Sequence, residues 1–189
     1  MAADPMDRVK TVNNFCASAL VFSAAMTELL ETKINETIGN KYALTQLRLL
    51  AMVDKTDVQY VTEVADVLNV SNAAASKAVE RLVRRGVIER RESKRDRRAI
   101  QLLLTEEGHR VIESFENVQH QAFGELFGQV STESLHEAGL FMDRMTVDLV
   151  NIMGTSDGAC LRCGIYFRDK CLLRDANNRK CRYHSSKNV

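Results

Sequence analysis

Four of the five cysteines in this chain of 189 residues lie close together near its end. Their spacing is Cys160-x2-Cys163-x7-Cys171-x9-Cys181, and His184 follows the last cysteine after two residues. A Cys-x2-Cys pair followed by glycine forms a knuckle that holds two thiolates, and two further thiolates complete a four-ligand set. We therefore expect residues 154–189 to form a cysteine-rich tail with a metal or iron–sulfur site.

The spacing leaves the identity of the bound group open. All four cysteines, with uneven loops between them, suit a [4Fe–4S] cluster. Zinc is the alternative, with Cys181 and His184 as a second ligand pair or with a purely structural role. Either centre would explain how a tail with few apolar side chains becomes ordered.

A thiol oxidoreductase that uses Cys160 and Cys163 is the alternative from another functional class. Such enzymes place the pair at the start of a helix in a βαβ unit, and no parallel-sheet pattern precedes it here. The fifth cysteine, Cys16, is expected to be a small buried hydrophobe on the first helix. No enzyme activity is required by the remaining motifs.

A second kind of chemistry comes from the distribution of charge. The net charge of +1 excludes a uniformly basic nucleic-acid binder. From Arg81 to Arg98, however, nine Lys/Arg residues stand against three Asp/Glu residues. A basic run alone is also typical of a solvated turn, but this one suits a phosphate backbone.

The elements around this basic run predict a mostly helical chain with a two-stranded β-wing. A helix over Asp7–Thr37 carries two apolar stripes, which indicates two packing partners. Three shorter helices and two strands follow, at Thr45–Val53, Val61–Leu68, Asn72–Arg85, Val87–Glu92 and Ala99–Leu104. Thr105 caps a helix that runs to about Gln129, and Ser131 caps a last helix that ends at Gly154.

The short turn Asn69–Ser71 has the spacing of a helix-turn-helix. Its second helix would present its first residues to base edges in the major groove. The residues concerned are the N-cap Ser71 and then Asn72, Ala73, Ser76 and Lys77, with Arg81 further along, closer to the DNA backbone.

This pattern resembles the MarR family of winged helix-turn-helix regulators over roughly Arg8–Met153. The resemblance is carried by Ser71-Asn72-Ala73-Ala74-Ala75-Ser76-Lys77, Arg81-Leu82-Val83, Gly86-Val87-Ile88, Arg90, Asp96-Arg97-Arg98, Leu104-Thr105 and Gly108. It implies a MarR-type domain over 7–153, with dimerisation helices at 7–37 and 106–153 and a DNA-binding lobe at 45–104. The cysteine-rich tail departs from the family pattern.

The resemblance also implies roles for the wing and for the dimer. Arg98 would enter the minor groove, Asp96 would orient it, and Arg95 and Arg97 would contact phosphates. Two copies would form a homodimer on double-stranded DNA and read a pseudo-palindromic operator. A small aromatic effector would bind in a crevice, for which the weak candidates are Phe15, Phe22, Met26 and Tyr42.

The sequence therefore predicts a dimeric DNA-binding regulator, expected to be a repressor. Its DNA affinity would be tuned by the metal or cluster of the tail, through redox, oxygen or metal sensing, or by the aromatic ligand. No apolar run was expected to span a bilayer, and residues 1–10 lack a secretory pattern, so we expect a cytoplasmic protein with no membrane partner.

Overall fold

The computed structural model describes residues 5–56, 60–68, 70–92 and 100–153, together with position 172. The elements, in chain order, are α1 (Pro5–Thr37), α2 (Leu44–Lys55), α3 (Val61–Leu68), α4 (Asn72–Arg84), β1 (Ile88–Glu92), β2 (Ile100–Leu104), α5 (Glu106–Phe127) and α6 (Thr132–Met153). The predicted fold class, a mostly helical winged helix-turn-helix with a two-stranded sheet, is confirmed.

The start of α2 differs from the prediction. The helix begins at Leu44, so Thr45 lies inside it and is not a cap. Ala43 is the extended residue before the helix, and its N–H donates to Oε1 of Gln46 at 3.1 Å. A side chain three residues into the helix thus satisfies the backbone N–H of the residue before the helix.

The core lies among the last turns of α1 together with α2, α3, α4, the sheet and α5. It is built from aliphatic side chains that alternate with polar ones at helical spacing, and its centre contains Phe115 of α5. The side chains with no exposed surface include Leu47, Leu50, Val64, Val79, Leu82 and Val87. Their removal from water is the main force that holds α4 against the rest of the lobe.

The end of α4 is a Schellman motif. The N–H of Gly86 donates to the carbonyl of Val83 at 2.9 Å, and the N–H of Val87 donates to the carbonyl of Leu82 at 3.2 Å. Gly86 has φ of 72°, a left-handed conformation that glycine adopts without a steric penalty. This turn leads the chain directly into β1.

The first turn of α5 is pinned to the same corner. The Thr105 hydroxyl accepts from the N–H of Gly108 at 3.0 Å and donates to the carbonyl of Gly86 at 2.6 Å. A Cβ atom on Gly108 would lie 2.2 Å from the carbonyl oxygen of Val87. The antiparallel strands pair from Ile88 opposite Leu104 to Glu92 opposite Ile100, so the wing projects away from this corner.

The helices α1 and α6 carry large apolar side chains that the single chain leaves exposed. Phe15 of α1 meets Phe141 of α6 edge to face, with ring centroids 5.6 Å apart. Cys16 is exposed, so the prediction that it is buried is wrong for the single chain. The other exposed side chains on these helices include Val9, Val12, Leu20, Val21, Phe22, Leu135, Met142, Met145, Leu149 and Ile152.

The expectation that no segment could span a bilayer is corrected by α1. Within the described ranges, Met6–Thr37 is long and apolar enough to do so, judged by length and composition alone. One such helix is weak evidence for a membrane segment, because helices of soluble proteins meet the same two criteria.

Candidate nucleic-acid interface

The helix α4 is held at its start by the predicted N-cap. Ser71 has extended backbone, with φ of −65° and ψ of 152°, and its hydroxyl accepts from the N–H of Ala74 at 3.2 Å. The N–H of Val70 donates to the carbonyl of Ala65, which closes the turn between α3 and α4 at 3.0 Å. The helix-turn-helix predicted from the spacing is therefore present.

The two faces of α4 differ in chemistry. Ala75, Val79 and Leu82 are buried against the core, which fixes the rotation of the helix. The exposed face carries an amide, two small side chains and three basic side chains, while Ser76 is half-buried beside it. The exposed residues are Asn72, Ala73, Ala74, Lys77, Arg81 and Arg84.

The basic groups on this face are only partly neutralised. Glu80 pairs with Arg84 at 3.8 Å on its own helix and with Arg90 of β1 at 3.4 Å, which ties the helix to the wing strand. In the described part of the chain, Lys77 and Arg81 form no salt bridge. Their charges thus remain available to a polyanion.

The wing is described only at its base. Its two strands form where they were predicted, within one residue at each end. Arg95, Asp96, Arg97 and Arg98 lie outside the described residues. The same holds for the predicted tail ligands, Cys160, Cys163, Cys171, Cys181 and His184. Among the residues that are described, no group of three or more His, Cys, Asp or Glu side chains could hold a metal.

A polar corner links α4 to the loop between α1 and α2. Nη1 of Arg85 donates to the carbonyl of Lys41 and, at 3.1 Å, to Oε1 of Gln46. The guanidinium lies over the ring of Tyr42, with Cζ 5.1 Å from the ring centroid. Burial raises the pKa of the Tyr42 phenol, Arg85 acts to lower it, and Glu107 acts to raise it.

This corner was not found from the sequence. The sequence alone predicts that Arg85 lies near the DNA backbone or packs within the domain, and it does not identify the partners, which lie about 40 positions earlier in the chain. Spacing along one helix carries no information about such distant contacts. The only available signal was the glycine that follows Arg85, because it marks where the helix ends and where side chains turn towards other elements.

A second contact region joins α2 to α5. Lys55 pairs with Glu116, and Nδ1 of His109 lies 3.1 Å from Oδ1 of Asp54. Both pairs connect α2 to α5, one of the long helices. The His109 side chain is largely exposed.

The candidate crevice residues are not all together. A cavity of about 130 Å³ between α1 and the start of α2 is lined by Glu31, Ile34, Asn35, Tyr42, Ala43 and Leu44. Tyr42 is thus at this cavity, whereas Phe15 contacts Phe141 and Phe22 lies 6.5 Å from Phe127. Met26 is half-buried on α1 and is not among the lining residues.

Comparison with known proteins places the similarity on the lobe that contains α4. The model of the MarR family matches residues 43–100. The transcriptional repressor MprA of Escherichia coli K12 is 38% identical over 71 residues, which are 38% of this chain and 40% of MprA. YpoP of Bacillus subtilis, described as an uncharacterized HTH-type transcriptional regulator, is 29% identical over 98 residues, or 52% of this chain and 70% of YpoP.

Solved structures show the same fold over a longer stretch. Streptococcus pneumoniae FabT, crystallised in complex with DNA, matches with a TM-score of 0.63 at 19% identity, over 76% of this chain and 99% of FabT. A MarR family protein from Bacillus stearothermophilus matches with a TM-score of 0.62 at 15% identity, over 82% of this chain and 100% of that protein. The MarR family model thus matches the segment that contains α4, and the solved structures show the same winged-helix fold.

Proposed function

We propose that the chain belongs to the MarR family and acts as a homodimeric, sequence-specific DNA-binding regulator, with repression as its effect. The observation that carries the proposal is α4 itself, a helix capped at Ser71 whose exposed face is polar, small and basic. The relative MprA is a transcriptional repressor, which supports a regulatory role for this chain.

The chemistry of α4 suits the major groove. The Asn72 amide can pair with the adenine edge in two hydrogen bonds, and Lys77 can donate to guanine acceptors. The methyl side chains of Ala73 and Ala74 allow the helix to approach the bases closely. Arg81 and Arg84, further along the exposed face, would meet phosphates.

The wing would add contacts on the minor-groove side. Its two strands pair from Ile88 opposite Leu104 to Glu92 opposite Ile100, and residues 93–99 connect them in the sequence. Arg98 would insert into a narrow minor groove, oriented by Asp96, while Arg95 and Arg97 would bind the adjacent phosphates. These four residues lie outside the described ranges, so their roles are proposed from the sequence resemblance.

The exposed apolar side chains of α1 and α6 support the homodimer. Contiguous apolar surface of this kind marks an interaction site, and a second copy would cover it with the same side chains. Burial of α1 against a second copy would also account for its apolar character in a cytoplasmic protein. The two-fold axis would set two α4 helices on a pseudo-palindromic operator.

We further propose that the tail supplies the signal. Cys160, Cys163, Cys171 and Cys181 would hold a [4Fe–4S] cluster or, with His184 as an alternative ligand, zinc. Because α6 ends at Met153, directly before the tail, a change in the centre would reach the dimer helices. A small aromatic effector at the Tyr42 cavity is the other proposed signal.

Protein purified without oxygen distinguishes the two centres. A cluster predicts a brown protein with a broad absorption band at about 400 nm and iron and sulfide in the preparation. Zinc predicts a colourless protein with one zinc per chain. If the full chain bound neither iron nor zinc, the proposed centre would be wrong.

The regulator itself is tested by selection from DNA. The full-length protein is incubated with a random-sequence duplex pool, and bound sequences are recovered and compared. We expect enrichment of one inverted-repeat sequence that binds at least 10³-fold more tightly than a scrambled duplex at physiological salt, a typical lower bound for specific binders. Equal affinity for the recovered and scrambled duplexes would contradict sequence-specific recognition.

A further inference from the structure

The end of α4 is joined to the α1–α2 corner, residues 38–43, by the side chain of Arg85. We propose that Arg85 is a positioning residue for DNA recognition, which sets the angle of α4 without contacting DNA. The inference rests on the proposed function, because it concerns how the reading helix is held.

The backbone around Arg85 fixes where its side chain starts. Arg85 is the C-cap of α4, with φ of −83° and ψ of −2°, and Gly86 follows in the left-handed conformation. The Schellman hydrogen bonds described above hold both residues. The guanidinium therefore extends from a rigid helix end towards the α1–α2 corner.

The acceptors of Arg85 belong to two other segments. The carbonyl of Lys41 lies in the α1–α2 corner, and Oε1 of Gln46 lies in the first turn of α2. The same Gln46 oxygen accepts the N–H of Ala43, which begins α2. One carboxamide oxygen thus fixes the start of α2 and the end of α4 together.

The Tyr42 ring completes the corner. It is 8% exposed and lies under the guanidinium, an arrangement in which the cation is attracted to the ring face. Glu107, in the first turn of α5, acts electrostatically on the same phenol. The corner therefore joins the end of α4 to the residues before α2 and to the first turn of α2.

The adjacent Arg84 shows the contrasting geometry. Both arginines are exposed, and the Arg84 side chain pairs with Glu80 on its own helix. Arg85 instead directs its hydrogen bonds to acceptors within the protein. Loss of these contacts would allow the end of α4 to tilt. Side chains that contact bases recognise them only when they are held within about 0.5 Å of the productive geometry.

The test compares Arg85→Ala, Arg85→Lys and Arg84→Ala in the full-length protein. The probe is the duplex that the wild type selects from a random pool, and Kd is measured by fluorescence anisotropy over a series of salt concentrations. We expect Arg85→Ala to bind the selected duplex on the order of tenfold more weakly, which is a typical effect for the coupling between two sites of a protein. Its salt dependence should equal that of the wild type, because no phosphate contact is lost.

The two other variants separate position from charge. Arg85→Lys should remain weak, since an ammonium lacks the planar fork that joins two acceptors and stacks on a ring. Arg84→Ala should lower the slope of log K against log salt by about 0.9, as expected for one lost phosphate contact. A lowered slope in Arg85→Ala that Arg85→Lys restores would overturn the proposal, because Arg85 would then be a phosphate ligand.

A spectroscopic readout follows the corner directly. Ultraviolet titration of tyrosinate, with Tyr42→Phe subtracted to isolate Tyr42, should show a higher pKa for Tyr42 in Arg85→Ala than in the wild type. The direction follows because removal of a nearby cation disfavours the phenolate. An unchanged pKa for Tyr42 would contradict the contact.

The outcomes also distinguish a failure of the positioning role of Arg85 from a failure of the proposed DNA-binding function. If the wild type selects no sequence, both fail. If the wild type binds its selected duplex and Arg85→Ala binds equally well, only the positioning role fails. Should Arg85→Ala not fold, Tyr42→Leu removes the same stacking contact from the other side and must show the same loss of affinity at unchanged salt slope, or the proposal is wrong.

Discussion

Single residues at the ends of helices determine where the reading surface lies. Ser71, Gly86 and Thr105 were each recognisable in the sequence, because their hydrogen bonds or backbone angles are local. The role of Arg85 was not recognisable, since its partners, the Lys41 carbonyl and Gln46, are set by tertiary packing. At this scale, local capping is predictable and long-range polar contacts are not.

Lys77 tests the base-reading role at the scale of one side chain. Lys77→Ala should weaken binding to the selected duplex by about 1–3 kcal/mol and reduce the preference over a scrambled duplex. Arg144→Ala, which removes an exposed positive charge from α6, is the matched control and should leave that preference unchanged. An equal loss on both duplexes would show that Lys77 contacts only phosphate.

Gly108 tests the packing of α5 on the corner after α4. Gly108→Ala should lower the free energy of unfolding by about 1–3 kcal/mol, because its Cβ would collide with the carbonyl oxygen of Val87. Gly124→Ala in the same helix is the control. Its Cβ meets no atom within 4 Å, so helix propensity should raise stability by roughly 0.5–1 kcal/mol.

Urea denaturation at one fixed protein concentration measures both glycine variants, since the stability of a dimer depends on concentration. If Gly108→Ala were as stable as Gly124→Ala, the close contact between the first turn of α5 and the backbone of Val87, just before β1, would be wrong.

Among the elements, the helices of the lobe and the sheet were predicted within about two residues, because periodicity and capping agree there. The start of α2 was misplaced because Gln46 caps from inside the helix, and no small polar residue marks the boundary. The exposure of Cys16 was also missed. An apolar stripe on a helix indicates that this face is buried in the functional oligomer. It does not indicate whether residues of the same chain or of a second copy bury it.

The apolar face of α6 gives the prediction at this scale. Leu149→Lys should shift the protein from dimer to monomer and abolish tight operator binding, because a charge would replace a side chain that is 56% exposed in the single chain. Asn151→Lys is the control, since two positions along a helix turn the side chain by about 200°.

Analytical ultracentrifugation of both α6 variants, with circular dichroism to confirm helix content, provides the measurement. A Leu149→Lys protein that stays dimeric at micromolar concentration would remove this part of α6 from the interface.

For the whole molecule, the sequence was sufficient for the fold class because each local pattern agreed with the same architecture. It was also sufficient to place the candidate reading helix, whose buried face is set by Ala75, Val79 and Leu82. The number of copies, the wing contacts and the tail centre depend on groups beyond one chain or beyond the described ranges. They therefore stand as proposals, and the number of copies and the tail centre have the tests given above and below.

The central claim is that two copies of this chain read two related DNA segments through α4. Hydroxyl-radical footprinting of the selected duplex, combined with native mass spectrometry of the same complex, tests it most directly. The account predicts two chains per duplex and two protected segments whose centres lie about one helical turn, or 10–10.5 base pairs, apart. A complex with one chain, or one uninterrupted protected segment without two-fold symmetry, would contradict it.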